Sequence, residues 1–219
     1  MTLPDPADRY VVFDLDGVLL DSEQDLSWLD RALSATLEEL DVPDTDANRD
    51  RLWPADVAKI ERTAARFGVP TDRLWEVRNR HYTETKMAAI ESGELEPFDD
   101  IDQLYDLEGP FGIISNSPET VVERFVEVYD LGELFTTLIG RGANLQDLNQ
   151  LKPDPHFYRQ LITAAEQGDV EYVYVGNADS DRTFANRTGM AYIHVDRTDP
   201  SDEAAGDLGD VVDRLDRDQ

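Results

Sequence analysis

The sequence contains no cysteine, although it runs to 219 residues. This absence excludes disulfide bonds, thiolate metal sites and a cysteine nucleophile. Long apolar runs are missing too: no stretch approaches the length of a transmembrane helix, and residues 1–6 show no basic region followed by an apolar segment. We therefore expect a cytoplasmic protein with no membrane partner and a hydrophobic core of its own. Either a monomer or a homodimer is compatible with the sequence.

Lysine is nearly absent. Only Lys59, Lys86 and Lys152 occur, against seventeen arginines, and Asp and Glu together number 48, which gives a formal net charge of −28. Such self-repulsion destabilises a compact chain at low ionic strength and is screened when about 1 M salt shortens the Debye length to roughly 3 Å. We interpret the composition as halophilic adaptation to a salt-rich cytoplasm. It also disfavours nucleic acid as a partner, so any bound phosphate requires a locally positive pocket.

Apolar, β-branched segments alternate with amphipathic helical patterns along most of the chain. Strands are predicted at residues 10–15, 111–115, 172–176 and 190–195, with a weaker one at 136–140. Helices are predicted at residues 119–129, 155–166, 181–188 and 207–215. This alternation predicts the α/β class, with a Rossmann-like parallel sheet core flanked by helices. Ligands of such sheets bind beyond the carboxyl ends of the strands.

One connection is too long for a simple crossover. Residues 22–93 carry only helical patterns, and residues 22–25 (Ser-Glu-Gln-Asp) resemble a capping box that opens the first helix. We predict a small α-helical cap inserted after the first strand, with residues 1–21 and 94–219 forming the α/β core. The three tryptophans all fall in this insertion, and we expect them to form its small core.

The first chemical motif ends the first predicted strand. Asp14 and Asp16 lie two residues apart on an extended chain, so their side chains point the same way, and Gly17 permits a sharp turn. Carboxylates this close repel each other unless a cation or a proton separates them. A hard cation such as Mg²⁺ suits the pair, and a carboxylate can also act as a nucleophile. The alternative interpretation is an acidic turn without a function.

Three further polar motifs follow predicted strands. Ser115 and Asn116 precede a helix, where a hydroxyl and backbone N–H groups can hold an anion, although an ordinary helix N-cap has the same composition. Lys152, fixed by the proline that follows, would supply a point charge in a chain that otherwise uses arginine. Asn177 and Asp181 would add oxygen ligands, and the alternative there is a turn that caps the next helix.

In this order the motifs resemble those of the haloacid dehalogenase-like hydrolase superfamily, in its phosphatase branch with an inserted helical cap. Phosphoglycolate phosphatases are the nearest familiar group, and the resemblance covers nearly the whole chain. It implies Mg²⁺-dependent hydrolysis of a small phosphate ester through an aspartyl-phosphate on Asp14. Asp16 would act as general acid and then as general base. Ser115 and Asn116 would hold the phosphoryl oxygens, and Lys152 would neutralise both the nucleophile and the phosphate.

The same resemblance implies a Mg²⁺ site formed by Asp14, Asp16, Asn177 and Asp181, with Asp16 contributing its backbone carbonyl. The superfamily usually has aspartate where this chain has Asn177, so the amide brings no charge to the metal. Asp179 is a further carboxylate that would compensate, directly or through water. The acidic residue two positions after the nucleophile, which dehalogenases of the superfamily lack, favours phosphate over halide chemistry.

Other functions stay open at this point. A phosphomutase would share Asp14 and Asp16 but return the phosphoryl group to a sugar. A phosphonate-cleaving enzyme would need a cap lysine for a Schiff base, and Lys59 and Lys86 are the lysines of that segment. A ligand-binding or regulatory homologue, impaired by Asn177, would bind Mg²⁺ weakly and release no phosphate.

Overall fold

The structure is a computed structural model that describes residues 3, 9–53, 56–164, 170–201 and 203–216. Its centre is a six-stranded sheet in which every neighbouring pair is parallel. The strands are β1 (Arg9–Phe13), β2 (Phe111–Pro118), β3 (Phe135–Arg141), β4 (Glu171–Gly176), β5 (Ala191–Val195) and β6 (Ala204–Ala205). Their spatial order is β3-β2-β1-β4-β5-β6. The predicted α/β class is confirmed, and β6 is a two-residue strand beyond the predicted ones.

Helices cover the sheet and form the insertion. The insertion contains α1 (Ser27–Glu39), α2 (Asp46–Leu52), α3 (Val57–Phe67) and α4 (Thr71–Glu91). The core contains α5 (Glu119–Val128), α6 (His156–Ala164), α7 (Asp179–Thr188) and α8 (Leu208–Asp216), with 3-10 helices at Ile101–Asp106 and Leu145–Gln150. Each predicted core helix is present, and the end of the one predicted at 155–166 lies outside the described residues. Within the described ranges, no helix is long and apolar enough to cross a bilayer.

The central strand β1 explains the architecture. Val11 and Phe13 are buried on one face of the sheet, and Tyr10 and Val12 are buried on the other. A strand without a polar face needs cover on both sides, which the helices of α/β crossovers supply. Because β1 pairs with β2 on one side and with β4 on the other, the residue that follows it lies at the centre of the carboxyl edge.

The cap is inserted between β1 and β2, as predicted. Its two connections run side by side, since Asp21 N–H donates to Glu96 O at 3.0 Å and Leu20 forms an isolated bridge with Pro97. The described part of residues 22–93 contains helices and no strand. The domain boundaries at residues 21 and 94 stay a prediction.

The capping box predicted at residues 22–25 is wrong. Helix α1 begins at Ser27, and Leu26 precedes it without any side-chain hydrogen bond to the helix. Ser22 is instead buried, and its hydroxyl donates to Asp16 at 2.6 Å. A tertiary partner therefore takes the hydroxyl that local sequence would have assigned to a helix end.

The prediction that all three tryptophans form the core of the cap is correct only in part. Trp28 and Trp75 are buried, whereas Trp53 is 50% exposed. Trp75 also reaches the core, because its Nε1 donates to Ala143 O at 2.8 Å. Trp28 and Trp53 both line a cavity between the cap and the sheet. The tryptophans of the insertion therefore line this cavity as well as packing inside the cap.

Candidate active site

The predicted site residues meet at the carboxyl edge of the sheet. Asp14 follows β1 directly, Ser115 lies within β2, and Asn177 follows β4. Lys152 comes from the segment that joins β3 to α6, and Asp181 lies in the first turn of α7. Since β1 lies between β2 and β4, the polar ends of three neighbouring strands converge at one place.

Lys152 joins two buried carboxylates. Its Nζ lies 2.8 Å from Asp14 Oδ1 and 2.7 Å from Asp181 Oδ1. The contact with Asp181 is an ion pair, and its angles are outside those of a hydrogen bond. All three residues are buried. The single lysine charge is therefore shared between two carboxylates away from solvent.

Buried polar groups fix the position of this lysine. Lys152 Nζ donates to Tyr174 Oη at 2.7 Å and to Ile114 O at 3.3 Å, and the Tyr174 hydroxyl donates to the same carbonyl at 2.9 Å. Burial lowers the pKa of Lys152, but the charges of Asp14 and Asp181 raise that pKa more, so the net shift is upward. The ammonium group stays protonated at neutral pH.

Asp14 lies under opposing electrostatic influences. Burial raises its pKa, Lys152 lowers it, and the charges of Asp181 and Asp16 raise it again, which brings the pKa of Asp14 to about 8. Its Oδ1 accepts a hydrogen bond from Leu15 N–H at 2.8 Å, while its Oδ2 accepts none from the described residues. A carboxylate with one free oxygen and an unfavourable charge suits a nucleophile that an added cation would ionise.

Asp16 is held by three side chains. Its Oδ1 accepts hydrogen bonds from Ser22 at 2.6 Å and from Lys86, and its Oδ2 accepts one from Ser117 at 2.7 Å. Lys86 Nζ also donates to Ser117 Oγ at 3.0 Å. Because Lys86 belongs to α4, the cap contacts the second aspartate of the motif directly.

The pair formed by Asp16 and Lys86 is fully ionised at neutral pH. Burial raises the pKa of Asp16, but the charge and hydrogen bond of Lys86, together with the hydrogen bonds of Ser22 and Ser117, lower it more, so the net shift is downward. Burial lowers the pKa of Lys86, but Asp16 and Tyr82 together raise it more, so the net shift is upward. The Nζ of Lys86 also lies 5.2 Å from the Trp28 ring and 5.8 Å from the Tyr82 ring, which adds cation–π stabilisation to the ion pair.

The two residues predicted to hold phosphoryl oxygens differ in their surroundings. Ser115 is buried, and its Oγ accepts the Ser117 N–H at 3.0 Å. The amide of Asn116 faces the backbone of Lys152: its Oδ1 accepts the N–H at 2.8 Å, and its Nδ2 donates to the carbonyl at 3.5 Å. Asn116 thus positions the lysine segment, and the role of either residue toward a phosphoryl group stays a prediction.

Asn177 packs against the turn that follows Asp16. Gly17 has a φ of +75°, and a Cβ at this position would lie 2.2 Å from Asn177 Nδ2 and 2.9 Å from Glu23 Oε2. Glycine alone fits both the backbone conformation and the space. Asn177 Nδ2 donates to Glu23 Oε2 at 3.5 Å. Burial, followed by the charge of Asp16, raises the pKa of Glu23. A carboxylate that the sequence did not mark therefore lies beside the neutral amide.

The donor atoms fit a magnesium ion in chemistry and in charge. Asp14, Asn177 and Asp181 offer oxygens, and the buried Oδ1 of Asp181 has only its ion pair with Lys152 as a polar partner within the described chain. Four carboxyl groups of the site (Asp14, Asp16, Glu23 and Asp181) face only two lysines (Lys86 and Lys152). No three acidic or histidine side chains of the described residues form a ready metal cluster, so a bound Mg²⁺ would keep several waters, as this ion commonly does. Asp179, the other candidate ligand, is exposed.

A cavity of about 490 Å³ opens between the cap and these residues. Asp16, Lys86 and Ser117 line it, together with the arginines Arg78 and Arg141 and several leucine and tryptophan side chains. Its volume falls within the usual range of small-molecule sites. The cap therefore leaves room for a substrate next to the acid–base pair.

Sequence reasoning missed the cap residues of the site. Arg78, Tyr82 and Lys86 are spaced by four residues on α4, so they share one face of the helix. One signal was available: the scarcity of lysine, which singled out Lys152, applies equally to Lys86. For Arg78 there was no comparable signal, because the cap contains several other arginines and nothing in the sequence distinguishes Arg78 from them.

Comparisons with known proteins identify the family of the chain. The sequence profile of the family described as haloacid dehalogenase-like hydrolase matches residues 11–195. A phosphoglycolate phosphatase of Cereibacter sphaeroides is 31% identical over 83% of this chain and 82% of that protein. Another, from Pseudomonas syringae pv. tomato, is 27% identical over 84% of this chain and 68% of that protein. The structure of CbbY from Rhodobacter sphaeroides in complex with phosphate superposes with a TM-score of 0.66 at 16% identity, covering 95% and 99% of the two chains.

The chain therefore belongs to the haloacid dehalogenase-like hydrolase family. Within this family it is a phosphatase, in agreement with its sequence relatives. The structural likeness, at its low identity, supports the fold alone, a Rossmann-like parallel sheet flanked by helices.

Proposed function

We propose that the protein hydrolyses a small phosphomonoester in a Mg²⁺-dependent reaction, through an aspartyl-phosphate formed on Asp14. One observation carries the proposal: Asp14 and Asp16 each pair with a buried lysine at the carboxyl end of β1, and the second pair lines a cavity under the cap. The phosphoglycolate phosphatases among the relatives support a small ester of this kind as the substrate.

Asp14 acts as the nucleophile. Leu15 N–H and Lys152 Nζ each lie 2.8 Å from its Oδ1, which leaves Oδ2 to attack phosphorus. The bond between phosphorus and the ester oxygen breaks as the bond to Asp14 forms, and water then cleaves the aspartyl-phosphate to release inorganic phosphate. Lys152 stabilises the ionised nucleophile and the negative charge of the phosphoryl oxygens.

Asp16 moves the protons. It gives one to the leaving alcohol and later takes one from the attacking water. Ser22 and Ser117 each hold one of its oxygens, at 2.6 and 2.7 Å, so the carboxylate keeps its orientation in both steps. Lys86 lowers the pKa of Asp16 against the effect of burial. The lowered pKa of Asp16 favours the step in which it accepts a proton and limits the step in which it donates one to lower pH. Lys86 is therefore a positioning residue that acts through Asp16.

The magnesium ion would be held by oxygens of Asp14, Asp16, Asn177 and Asp181, with Asp16 using its backbone carbonyl. When bound, it supplies positive charge that offsets the excess of carboxylates and assists the transfer of the phosphoryl group. Because the pKa of Asp14 is raised to about 8 without metal, ionisation of the nucleophile at neutral pH depends on this added charge. Ser115 and Asn116 would hold the phosphoryl oxygens.

The test measures phosphate release from an aryl phosphate in molar KCl, with and without Mg²⁺. We expect Mg²⁺-dependent release from the wild type and a loss of at least about 10³-fold in Asp14→Asn, because the nucleophile is removed. Asp179, an exposed aspartate at the start of α7, supplies a matched control. The Asp179→Asn variant should release phosphate as fast as the wild type. Undiminished release from Asp14→Asn would exclude an aspartyl-phosphate at this position.

A second candidate function is a homologue that binds its ligand without turnover. The neutral amide of Asn177, placed where a metal ligand is expected, favours it. If the folded wild type releases no phosphate from a panel of esters, Asn177→Asp separates the causes. Activity gained by this variant would point to a disabled metal site, and continued inactivity would point to a selective cap.

Phosphonate cleavage through a Schiff base is not supported by the cap lysines. That chemistry requires a neutral amine, whereas the net pKa shift of Lys86 is upward because Asp16 and Tyr82 together outweigh the effect of burial. Lys59 donates its ammonium to Asp50 O at 3.3 Å in an exposed contact and does not line the cavity.

A further inference from the structure

Two arginines in the wall of the cavity are buried. Arg78 lies on α4 and Arg141 ends β3, and their exposed fractions are 3% and 4%. One therefore comes from the cap and the other from the core, and both line the same cavity as Asp16 and Lys86. Neither takes part in the mechanism proposed above.

Neither arginine has a carboxylate partner within 4 Å among the described residues, unlike Arg73 and Arg80 of the same cap helix, which both pair with Glu39. Arg78 Nε donates to Leu52 O at 3.2 Å, and its two Nη groups make no hydrogen bond with the described chain but are not sealed from solvent. In a chain with 48 acidic residues and 20 basic ones, two buried cations without an ion pair are unexpected. The charge of Asp147 opposes the effect of burial on the pKa of Arg141, but the net shift of that pKa is still downward.

Arg141 is held in place by neutral groups. Its two Nη groups donate to Gly142 O at 2.8 Å and to Asn79 Oδ1 at 2.7 Å. Both guanidinium groups lie near the ring of Trp75, at 6.0 Å for Arg78 and 5.1 Å for Arg141. The ring of Tyr82 lies 4.6 Å from Arg78. The aromatic faces orient both cations without neutralising them.

Burial without a counter-ion is unfavourable for both groups. Burial lowers the pKa of Arg78 to about 10, and the charge of Arg141 contributes to this shift. Arg78 nevertheless stays protonated at neutral pH, so the cavity wall presents two positive charges. An anion placed between them would relieve the repulsion, and a guanidinium can hold a carboxylate or a phosphate through two hydrogen bonds.

We infer that Arg78 and Arg141 form a second anion subsite, which selects phosphomonoesters that carry another anionic group at the end away from the scissile bond. The inference rests on the proposed function, because it places the reacting phosphate at Asp14 and the second anion at the arginines. A carboxylate and a second phosphate share the required chemistry, and the substrates chosen for the test distinguish them.

The kinetic test uses a ladder of substrates: phosphate esters of ω-hydroxy carboxylic acids with two to five carbons, the corresponding diol bisphosphates, and the neutral diol monophosphates. At the best chain length, we expect kcat/KM for one anionic series to exceed that of its neutral counterpart by about 10- to 100-fold. Arg78→Met should reduce this preference to less than about threefold while the neutral ester changes little. Arg66→Met, at an exposed cap arginine, is the control and should keep the preference.

A binding test separates this inference from the proposed reaction. Asp14→Asn protein is titrated calorimetrically with each anionic ester of the ladder at constant ionic strength, with and without Arg78→Met. Arg78-dependent binding supports the subsite even if the wild type proves inactive. Turnover without preference for any anionic ester, or equal losses for anionic and neutral esters in Arg78→Met, would overturn it.

Stability distinguishes a binding role from a structural one. Because Arg78 is buried without a counter-ion, we expect Arg78→Met to melt at or above the temperature of the wild type in the absence of ligand. A melting temperature well below the wild type would show that Arg78 supports the fold, and would also overturn the subsite. Arg78→Lys keeps a positive charge but cannot form two parallel hydrogen bonds to one anion. This variant should recover only part of the preference for anionic esters.

Discussion

Two lysines serve the two aspartates that follow β1, and they come from different regions of the molecule. Lys152 belongs to the core and pairs with Asp14, whereas Lys86 belongs to the cap and pairs with Asp16. Both are buried. Lys152 is held further by Tyr174 and a backbone carbonyl of the sheet, while Lys86 reaches its aspartate from a helix that lies outside the sheet.

The difference shows how the chemistry of one site is divided. The surroundings of Asp14 are provided by the core alone, so its pairing with Lys152 does not depend on the cap. Asp16 has its lysine only when α4 packs against the carboxyl edge of the sheet. We therefore expect the nucleophilic step to depend on the core, and the proton transfers to depend on the position of the cap as well.

Replacement of Lys152 by methionine should have the largest effect. It would leave Asp14 and Asp181 buried without a cation, and loss of one partner from a buried pair costs about 3–5 kcal/mol. We expect kcat to fall by roughly 10³-fold or more, and the melting temperature to fall by about 6–20 °C. Steady-state kinetics and calorimetry measure both. The third lysine is the control: Lys59→Met should change neither, and normal turnover in Lys152→Met would remove this residue from the mechanism.

Replacement of Lys86 by methionine should have a smaller, pH-dependent effect. We expect kcat to fall by about 10- to 100-fold. Lys86 lowers the pKa of Asp16 against the effect of burial, so without the lysine this pKa rises and the limb of the pH profile that Asp16 controls moves to higher pH. Because the folded-state pKa of Asp16 is lowered, the pair stabilises the fold above the unfolded pKa near about 4, and this contribution is lost as the pH falls through the folded value.

The readout is the pH dependence of kcat for the wild type, Lys86→Met and Lys86→Arg. The arginine variant keeps the charge and should restore the position of the limb in part. A loss of the same size at every pH, with no shift of the limb, would mean that Lys86 acts only through the packing of the cap.

The substitution Asn177→Asp tests the proposed metal site of the core, and we expect a smaller effect than for either lysine substitution. It adds a carboxylate next to Glu23, and we expect Mg²⁺ to bind about tenfold more tightly. Calorimetric titration with Mg²⁺, or paramagnetic resonance with Mn²⁺, measures this without relying on turnover. Asp179→Asn, at the exposed start of α7, should leave the affinity unchanged. An equal affinity in Asn177→Asp and the wild type would exclude residue 177 as a ligand.

Salt should screen the surface charges and change little at the two lysine–aspartate pairs, in which both lysines are buried. With a net charge of −28, we expect an increase from 0.1 to 2 M KCl to raise the melting temperature by roughly 5–10 °C, which corresponds to about 2–3 kcal/mol. The ratio of kcat between the wild type and Lys86→Met should stay constant over the same range, because buried pairs are screened little. A ratio that falls toward one in high salt would show that the cap pair is accessible to solvent.

Much of the core could be predicted because its signals are local. Each apolar strand is continuous in sequence and ends at its own polar motif, as β1 does at Asp14 and β4 at Asn177. Parallel strands bring their carboxyl ends to one edge, so these motifs meet without knowledge of any particular contact. The lysine before α6 could be recognised for a different reason, its rarity in the chain.

The contacts of the cap could not be predicted in the same way. Ser22 carries a helix-capping signal, but Asp16 offers its hydroxyl a stronger partner in the folded chain. Asp16 and Lys86 are 70 residues apart, and nothing local indicates which face of α4 turns toward the sheet. Arg78 shares that face and looks in sequence like the other arginines of the cap.

The sequence by itself thus determined the class of the protein, the order of its strands along the chain and the residues that end them, because hydrophobic periodicity and short motifs act over a few residues. Only the tertiary structure decided which lysine pairs with each aspartate, and which arginines are buried without an ion pair. Those choices depend on how a helical insertion packs over the carboxyl edge of the sheet, which is a property of long-range contacts and of the burial of charge.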